Sequence, residues 1–355
     1  MKRLALLLGS LLVVSAAASA KEVVPAPVVV QETPVQIVEK EVIVYREKEP
    51  EWRPSGFFKV QETYYGETEN NKYAGKQGWN DNNVYGRLQL EGGIQMTEKQ
   101  SMDFRVRNYQ SWNSLGEKKH DQVRVRYYFD HGNVGDSKVN ATSRVRYQKT
   151  GSSHLAEYRL DFDFAEYLFN NDFVKTSTAV IGPRYIYSWT GHSDYTNSVG
   201  LYADLINEYP LGFSTEIEID GAQYNKYKTE INGNKDDFQV SVAAKLMHNW
   251  NLYTADKFSF DWAFEGGYDT FDYSTQKVFA KTEIDPATNK AKSYDDAKYS
   301  VYAQPSFRLT YNATKFVSVY GEVGAEYRNW QIEANTEAKN WRWQPFATVG
   351  VKTTF

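Results

Sequence analysis

The strongest constraint on the fold is a two-residue alternation of apolar and polar side chains that runs from residue 56 to the C-terminus. Successive side chains of a β-strand point to opposite faces, so this period predicts strands with one apolar and one polar face. The alternating segments are about 10–14 residues long, whereas strands of soluble proteins usually have about 5–6. A tilted strand crosses a bilayer in about 9–11 residues. The pattern therefore predicts an antiparallel β-barrel that spans a membrane.

We predict about fourteen strands, with sixteen as the alternative, and assign residues 54–355 to this all-β transmembrane barrel. In the second segment, for example, Leu88 and Leu90 alternate with Arg87, Gln89 and Glu91. An even number of strands is typical of bacterial outer-membrane barrels. The predicted strands cover residues 56–65, 83–96, 101–112, 121–130, 139–148, 154–164, 176–189, 198–208, 212–224, 238–247, 258–269, 299–311, 316–328 and 343–355.

The N-terminal residues indicate export. Lys2 and Arg3 precede an apolar run, and the small side chains of Ala18, Ser19 and Ala20 suit a cleavage site, so residues 1–20 are predicted to be a signal peptide. Residues 21–53 combine proline, valine and glutamate without glycine, which is typical of extended chain, and we predict a periplasmic segment. The chain contains no cysteine, which excludes disulfides, thiol catalysis and thiolate metal sites.

The lengths of the gaps between predicted strands agree with a barrel whose two chain ends both lie in the periplasm. Odd-numbered gaps should then be long external loops and even-numbered gaps short turns. Long odd gaps lie at 66–82, 225–237, 270–298 and 329–342, and short even gaps at 97–100, 209–211 and 312–315. Two gaps depart from this rule: 149–153, counted as the third, is short, and 165–175, the sixth, is long enough to hold a helical turn.

An Arg-Val-Arg triplet occurs in three consecutive predicted strands, at 105–107, 124–126 and 144–146. The two arginines of a triplet share one face, about 6.6 Å apart, and the valine points the other way. An arginine on the lipid face near the midplane costs about 2–4 kcal/mol. Six would cost up to about 24 kcal/mol, which is more than the roughly 5–15 kcal/mol stability of a typical domain. We therefore predict a pore-lining basic strip in water, formed by Arg105, Arg107, Arg124, Arg126, Arg144 and Arg146.

Acidic side chains occupy the predicted inward face of three other strands. They form a predicted pore-lining acidic wall: Glu216, Glu218, Asp220, Asp261, Glu265, Glu322 and Glu326. In a ring of fourteen strands the fourth lies nearly across from the eleventh, so opposite charges would face each other and set up a transverse field. In the alternative, the charges are only structural, with Arg105 paired to Asp103 and Arg159 to Asp161.

Catalysis and nucleic-acid binding receive little support from the sequence. The five histidines fall in predicted loops or near strand ends, and only His192, two residues before Asp194, resembles an acid/base pair; the others are His120, His131, His154 and His248. Arginines beside tyrosines suit single-stranded nucleic acid, but a signal peptide and a formal net charge of −4 argue against that partner. We predict no enzymatic activity, no cofactor, no metal and no nucleic-acid partner.

Five stretches of the chain are distinctive in combination: MKRLALLLGSLLVVSAAASAKEVVPAP, VEKEVIVYREKEPEWRP, KVNATSRV, EGGYDT and WRWQPFATVGVKTTF. With them the chain resembles the fusobacterial major outer-membrane porins, the FomA family, from the leader to Phe355. The resemblance implies a general diffusion porin, homotrimeric, with a periplasmic N-terminal segment and external loops that contact other cells as an adhesin would. The terminal Phe355, with Val351 and Thr353 on its face, also resembles the C-terminal signal that the barrel-assembly machinery reads.

The sequence therefore predicts an outer-membrane porin, surrounded by lipid, that passes small hydrophilic solutes and ions. Two alternatives share the fold and stay open: a substrate-selective channel that uses the arginines as a track for anionic solutes, and an adhesin that acts through its loops. Many general porins narrow their bore with a long third loop. Because the gap at 149–153 is short, we expect any constriction here to come from wall arginines or from residues 270–298.

Overall fold

The computed structural model describes residues 52–69, 84–111, 120–191, 194–231, 233–280, 284–285, 290–291, 293–329 and 341–355. Within these residues, fourteen antiparallel strands close into one barrel. We label them β1–β14 in chain order: Ser55–Tyr65, Tyr85–Gln95, Gln100–Ser111, Gln122–Asn133, Asn140–Thr150, Ser153–Asp163, Lys175–Thr190, Asp194–Glu208, Phe213–Ile231, Asn234–Ala255, Phe258–Ser274, Ala297–Asn312, Val317–Asn329 and Trp341–Thr354. The predicted fold class is confirmed, with fourteen strands rather than sixteen.

The predictions for the N-terminal region are not tested by this structure. Residues 1–51 lie outside the described residues, so the signal peptide at 1–20 and the periplasmic segment at 21–53 stay predictions. In the part of the chain that is described, no helix has the length and apolar character needed to cross a bilayer.

The barrel closes where the first and last strands meet. β1 pairs with β14 from Phe57 opposite Thr354 to Tyr65 opposite Phe346. The C-terminal residue extends the seam, because Phe355 N donates to Gly56 O at 3.0 Å and Gly56 N donates to Phe355 O at 2.9 Å. Closure leaves neither strand with an unpaired edge, which a bilayer would not tolerate.

Burial in the barrel is inverted relative to a soluble protein. Val145, for example, is 50% exposed on the outer face, whereas its neighbours Arg144 and Arg146 point inward. Exposed aromatic and aliphatic side chains continue around the outside, including Tyr185, Leu201 and others on every side of the ring. Hydrocarbon would cover these side chains, and the strand ladders satisfy the backbone groups inside the membrane. The protein is an integral outer-membrane β-barrel.

The three even-numbered connections predicted to be short are short turns in the structure, at 96–99, 209–212 and 313–316. The longer sixth connection holds a 3₁₀ turn at Ala165–Tyr167, which confirms the expected helical turn.

The odd-numbered connections differ from the prediction in two places. The predicted loop at 225–237 is wrong, because β9 and β10 continue as a paired hairpin and Asn225 lies opposite Asp237. Outside the lipid both faces of a strand can be polar, so the apolar signal ends before the strand does. The gap at 149–153 joins β5 to β6 and is the fifth, not the third; the third joins β3 to β4, and its residues 112–119 lie outside the described residues. The short gap therefore gives no information about a constricting third loop.

Candidate functional site

The six predicted strip arginines lie on one face of three adjacent strands. β3, β4 and β5 turn them inward while the valines between them point outward. The expectation that all six stand in open water is wrong, because Arg105, Arg107, Arg124, Arg126 and Arg144 are each at most 6% exposed. Long side chains from neighbouring strands lie against one another and cover each other's aliphatic stems. Their role in lining a pore stays a prediction.

Strand register places arginine opposite arginine. Arg105 lies directly opposite Arg124 and Arg126 opposite Arg146. A second row runs from Arg144 on β5 to Arg159 on β6 and Arg184 on β7. Side chains in such positions have Cβ atoms about 4.5–5.5 Å apart, and like charges there are destabilising. The predicted strip omits Arg159 and Arg184, although the alternation of β6 and β7 could have identified both as inward.

Two buried carboxylates offset this repulsion. Asp103 accepts from Arg126 Nε at 3.0 Å and from the Tyr128 hydroxyl at 3.1 Å, and its Oδ1 lies 3.6 Å from Arg124 Nη2. Such bonds between ionised groups are about twice as strong as neutral ones. Asp103 therefore connects the two arginines of β4.

Glu157 on β6 is the second carboxylate that offsets the repulsion between arginines. Its side chain is fully buried and contacts both Arg144 and Arg146, with Arg146 Nη2 2.5 Å from Oε2. The sequence prediction did not include Glu157. Its inward parity on β6 was readable, but its position between two arginines depends on the register of β5 with β6.

Of the two ion pairs expected from the structural alternative, one is present. Arg159 Nε lies 2.5 Å from Asp161 Oδ1. The prediction that Arg105 pairs with Asp103 is wrong, because the strand register places Asp103 opposite Arg126. Arg105 Nη2 instead donates to Gln122 Oε1 at 2.7 Å.

The seven acidic side chains also turn inward, but cations are interleaved with them. Glu216 lies opposite Lys245, with 3.6 Å between carboxylate and ammonium. Glu322 accepts from Arg308 Nη2 at 2.6 Å, and Glu326 from Arg328 Nε at 2.6 Å.

Hydrogen-bond donors from neighbouring side chains contact the other members of the acidic wall. The Tyr302 hydroxyl donates to Glu265 and the Tyr202 hydroxyl to Glu218. Asn251 Nδ2 donates to Asp261 Oδ1 at 2.6 Å. The charges are therefore less segregated than the sequence suggested, and the role of these seven residues in lining a pore stays a prediction.

The basic and acidic sectors meet at a β-bulge in β9. The register of β9 shifts between Ile219 and Ala222, and Gly221 has φ of 135°. The bulge brings Asp220 to Arg184, whose Nη1 donates to Oδ1 at 3.1 Å and whose Nη2 donates to the carbonyl at 2.8 Å. A Cβ on residue 221 would collide with that guanidinium.

Tyr202 marks the same boundary from β8. The Arg159 guanidinium lies 3.5 Å above the centre of its ring, which is a close cation–π contact. Because the Tyr202 hydroxyl donates to Glu218, one side chain contacts both a basic and an acidic group.

Water reaches the interior on the acidic side. The side chain of Asp220 is 31% exposed and that of Arg308 is 36% exposed, although both point into the barrel. The arginines of β3–β5 are packed much more closely. Solvent-accessible charge inside the barrel thus lies next to the acidic wall, with the packed basic strip across the ring.

Two of the histidines considered for catalysis stack on aromatic side chains of the barrel. His154 stacks on Trp189 and bonds to the Tyr147 hydroxyl, and His248 stacks on Phe213. His192 lies outside the described residues. Among those described, no group of three His, Cys, Asp or Glu side chains could hold a metal ion.

The C-terminal Phe355 and the nearby Val351 are both exposed on the outer face. The backbone of Phe355 exchanges hydrogen bonds with Gly56, and its ring lies beside the same residue, because a Cβ on residue 56 would come within 2.9 Å of the ring. The proposed role of its side chain in assembly stays a prediction.

Comparisons with known proteins identify no family. No protein-family model matches the chain, and no curated protein matches it. Solved structures that resemble it include a bacterial polysaccharide outer membrane secretin, with 11% identity and a TM-score of 0.38 over 84% of this chain and 98% of that chain. Others are the outer membrane channel DcaP of Acinetobacter baumannii (10%, 0.37, 85% and 96%) and an anion-selective porin from Comamonas acidovorans (12%, 0.35, 85% and 100%).

Proposed function

We propose that the protein is a general diffusion porin that passes small hydrophilic solutes and ions through the barrel. The observation that supports this most is the combination of a closed fourteen-strand ring with water-accessible charge inside it, at Asp220 and Arg308. Side chains fill the interior of an eight-stranded barrel, whereas barrels of sixteen to eighteen strands enclose an aqueous channel. Fourteen strands lie closer to the open case.

The arrangement of charge suggests how such a pore treats its solutes. Arginines concentrate on β3–β7, and most inward carboxylates lie on β8–β13. Opposed charge across a narrow aqueous path orders water and favours polar over apolar solutes of equal size. Selectivity between anions and cations then depends on the balance of the two sectors.

The wider assignment rests on the sequence resemblance. We assign the chain to the FomA family, with a homotrimeric assembly, a periplasmic N-terminal segment and no enzymatic activity. The external loops would contact other cells, and Phe355 would be read by the barrel-assembly machinery.

Planar-bilayer recording on the purified protein tests the porin assignment. We expect stepwise, ohmic conductance, together with swelling of protein-containing liposomes that decreases smoothly from monosaccharides to trisaccharides. Heat-modifiable electrophoretic mobility identifies the folded barrel in the same preparation. Folded protein that neither conducts nor admits sugars would overturn the porin assignment and favour an adhesin that acts through its loops.

A further inference from the structure

We propose that Arg105 and Arg124 form a subsite for the carboxylate of a small organic acid. The inference deepens the proposed porin function, which supplies the route by which the acid arrives. The binding itself depends only on the local arrangement of the two guanidinium groups.

The two arginines combine direct opposition with incomplete hydrogen bonding. They are cross-strand partners, at 1% and 2% exposure. Nε and Nη1 of each have no hydrogen-bond partner among the described residues. Arg105 Nη2 donates to the Gln122 amide oxygen, and Arg124 reaches Asp103 only as an ion pair at 3.6 Å. Buried guanidinium donors without acceptors are costly, so the pair favours the arrival of an anion.

The neighbouring strands show what normally completes such a pair. Glu157 contacts both Arg144 and Arg146, so one carboxylate serves two guanidinium groups. No described carboxylate lies in an equivalent position between Arg105 and Arg124. A ligand carboxylate would occupy there the place that Glu157 occupies on β6.

The chemistry of the donors selects the ligand class. The planar fork of a guanidinium matches a carboxylate in bidentate geometry. An ionised carboxylate is also a stronger acceptor than the Gln122 amide, so it can displace that contact. Because the surrounding side chains are closely packed, the acid has to be small.

Calorimetric titration of sodium succinate into folded, detergent-solubilised protein tests the subsite. We expect saturable binding that Arg105→Lys weakens at least about tenfold, because lysine keeps the charge but loses the fork. Gln122→Glu should weaken it to a similar extent, because a carboxylate beside Arg105 then supplies internally what the ligand would bring. Arg308→Gln, which removes one positive charge from the opposite sector, is the matched control and should change the affinity by less than about twofold.

The outcomes separate the subsite from the porin assignment. Absence of saturable succinate binding to the wild-type protein overturns the subsite, as does equal weakening by Arg105→Lys and Arg308→Gln. Saturable binding of inorganic phosphate without any of succinate would overturn the ligand class. Conductance is measured on the same preparation: conductance without binding overturns the subsite alone, and binding without conductance overturns the porin assignment alone.

Discussion

Replacing Glu157 with glutamine removes one buried negative charge while preserving the shape of the side chain. The guanidinium groups of Arg144 and Arg146, which lie side by side on β5, then lose the acceptor that they share. At an effective dielectric constant of about 20, each ion pair at about 4 Å contributes about 4 kcal/mol, which is partly offset by desolvation. Removing one partner of a buried pair typically costs about 3–5 kcal/mol. We expect the free energy of unfolding to fall by about that amount.

Equilibrium unfolding by guanidinium chloride in lipid vesicles, followed by tryptophan fluorescence, measures this loss. Glu230→Gln is the matched control, because its pair with Lys235 at 3.9 Å is 55–59% exposed and should contribute less than about 1 kcal/mol. The double variant Glu157→Gln with Arg146→Gln should recover at least about 1 kcal/mol, because it removes the unpaired charge. A Glu157→Gln protein within about 1 kcal/mol of the wild type would refute the idea that internal carboxylates hold the arginine strip together.

Three further substitutions probe other parts of the barrel. Val145→Arg should lower the free energy of unfolding in vesicles by about 2–4 kcal/mol, because it places a charge in the lipid. The same change at Val134, in the turn after β4, should lower it by less than about 0.5 kcal/mol. Equal losses of stability would contradict the assignment of Val145 to the outer face. Gly221→Ala should cost about 1–3 kcal/mol because it strains the bulge and displaces Arg184, and an unchanged unfolding midpoint would contradict that reading. Phe355→Ala should lower the yield of folded barrel in cells. Refolding of the urea-denatured protein should stay unchanged, because the backbone bonds at the seam remain. An equal loss of folded barrel in both assays would indicate a structural role instead.

The strand pattern was predictable because lipid and lumen impose opposite polarity on alternate residues. Val145 between Arg144 and Arg146 is the clearest example. The triplet has two possible orientations, and one of them would place both arginines in the lipid. The same rule has no force beyond the bilayer. The sequence pattern therefore predicts a loop at 225–237, where the structure has the hairpin of β9 and β10.

The contacts of the charged wall were less predictable, because they depend on register between strands. A period of two shows that Asp103, Arg105 and Arg126 share a face, but not that Asp103 lies opposite Arg126. The position of Glu157 and the bulge at Gly221 have the same origin. Packing of the arginines out of open water follows from their neighbours on adjacent strands, which a single strand's pattern does not contain.

The reversal potential across a KCl gradient in planar bilayers tests whether the basic strip controls which ions cross the barrel. The test compares two versions of the strip, with all six arginines replaced by glutamine or all six by lysine: Arg105, Arg107, Arg124, Arg126, Arg144 and Arg146. Neutralisation should shift the reversal potential toward cation preference, because the inward carboxylates then dominate the field. The lysine version keeps the charge and should stay close to the wild type. A reversal potential that is the same in all three proteins would contradict the role assigned to the strip.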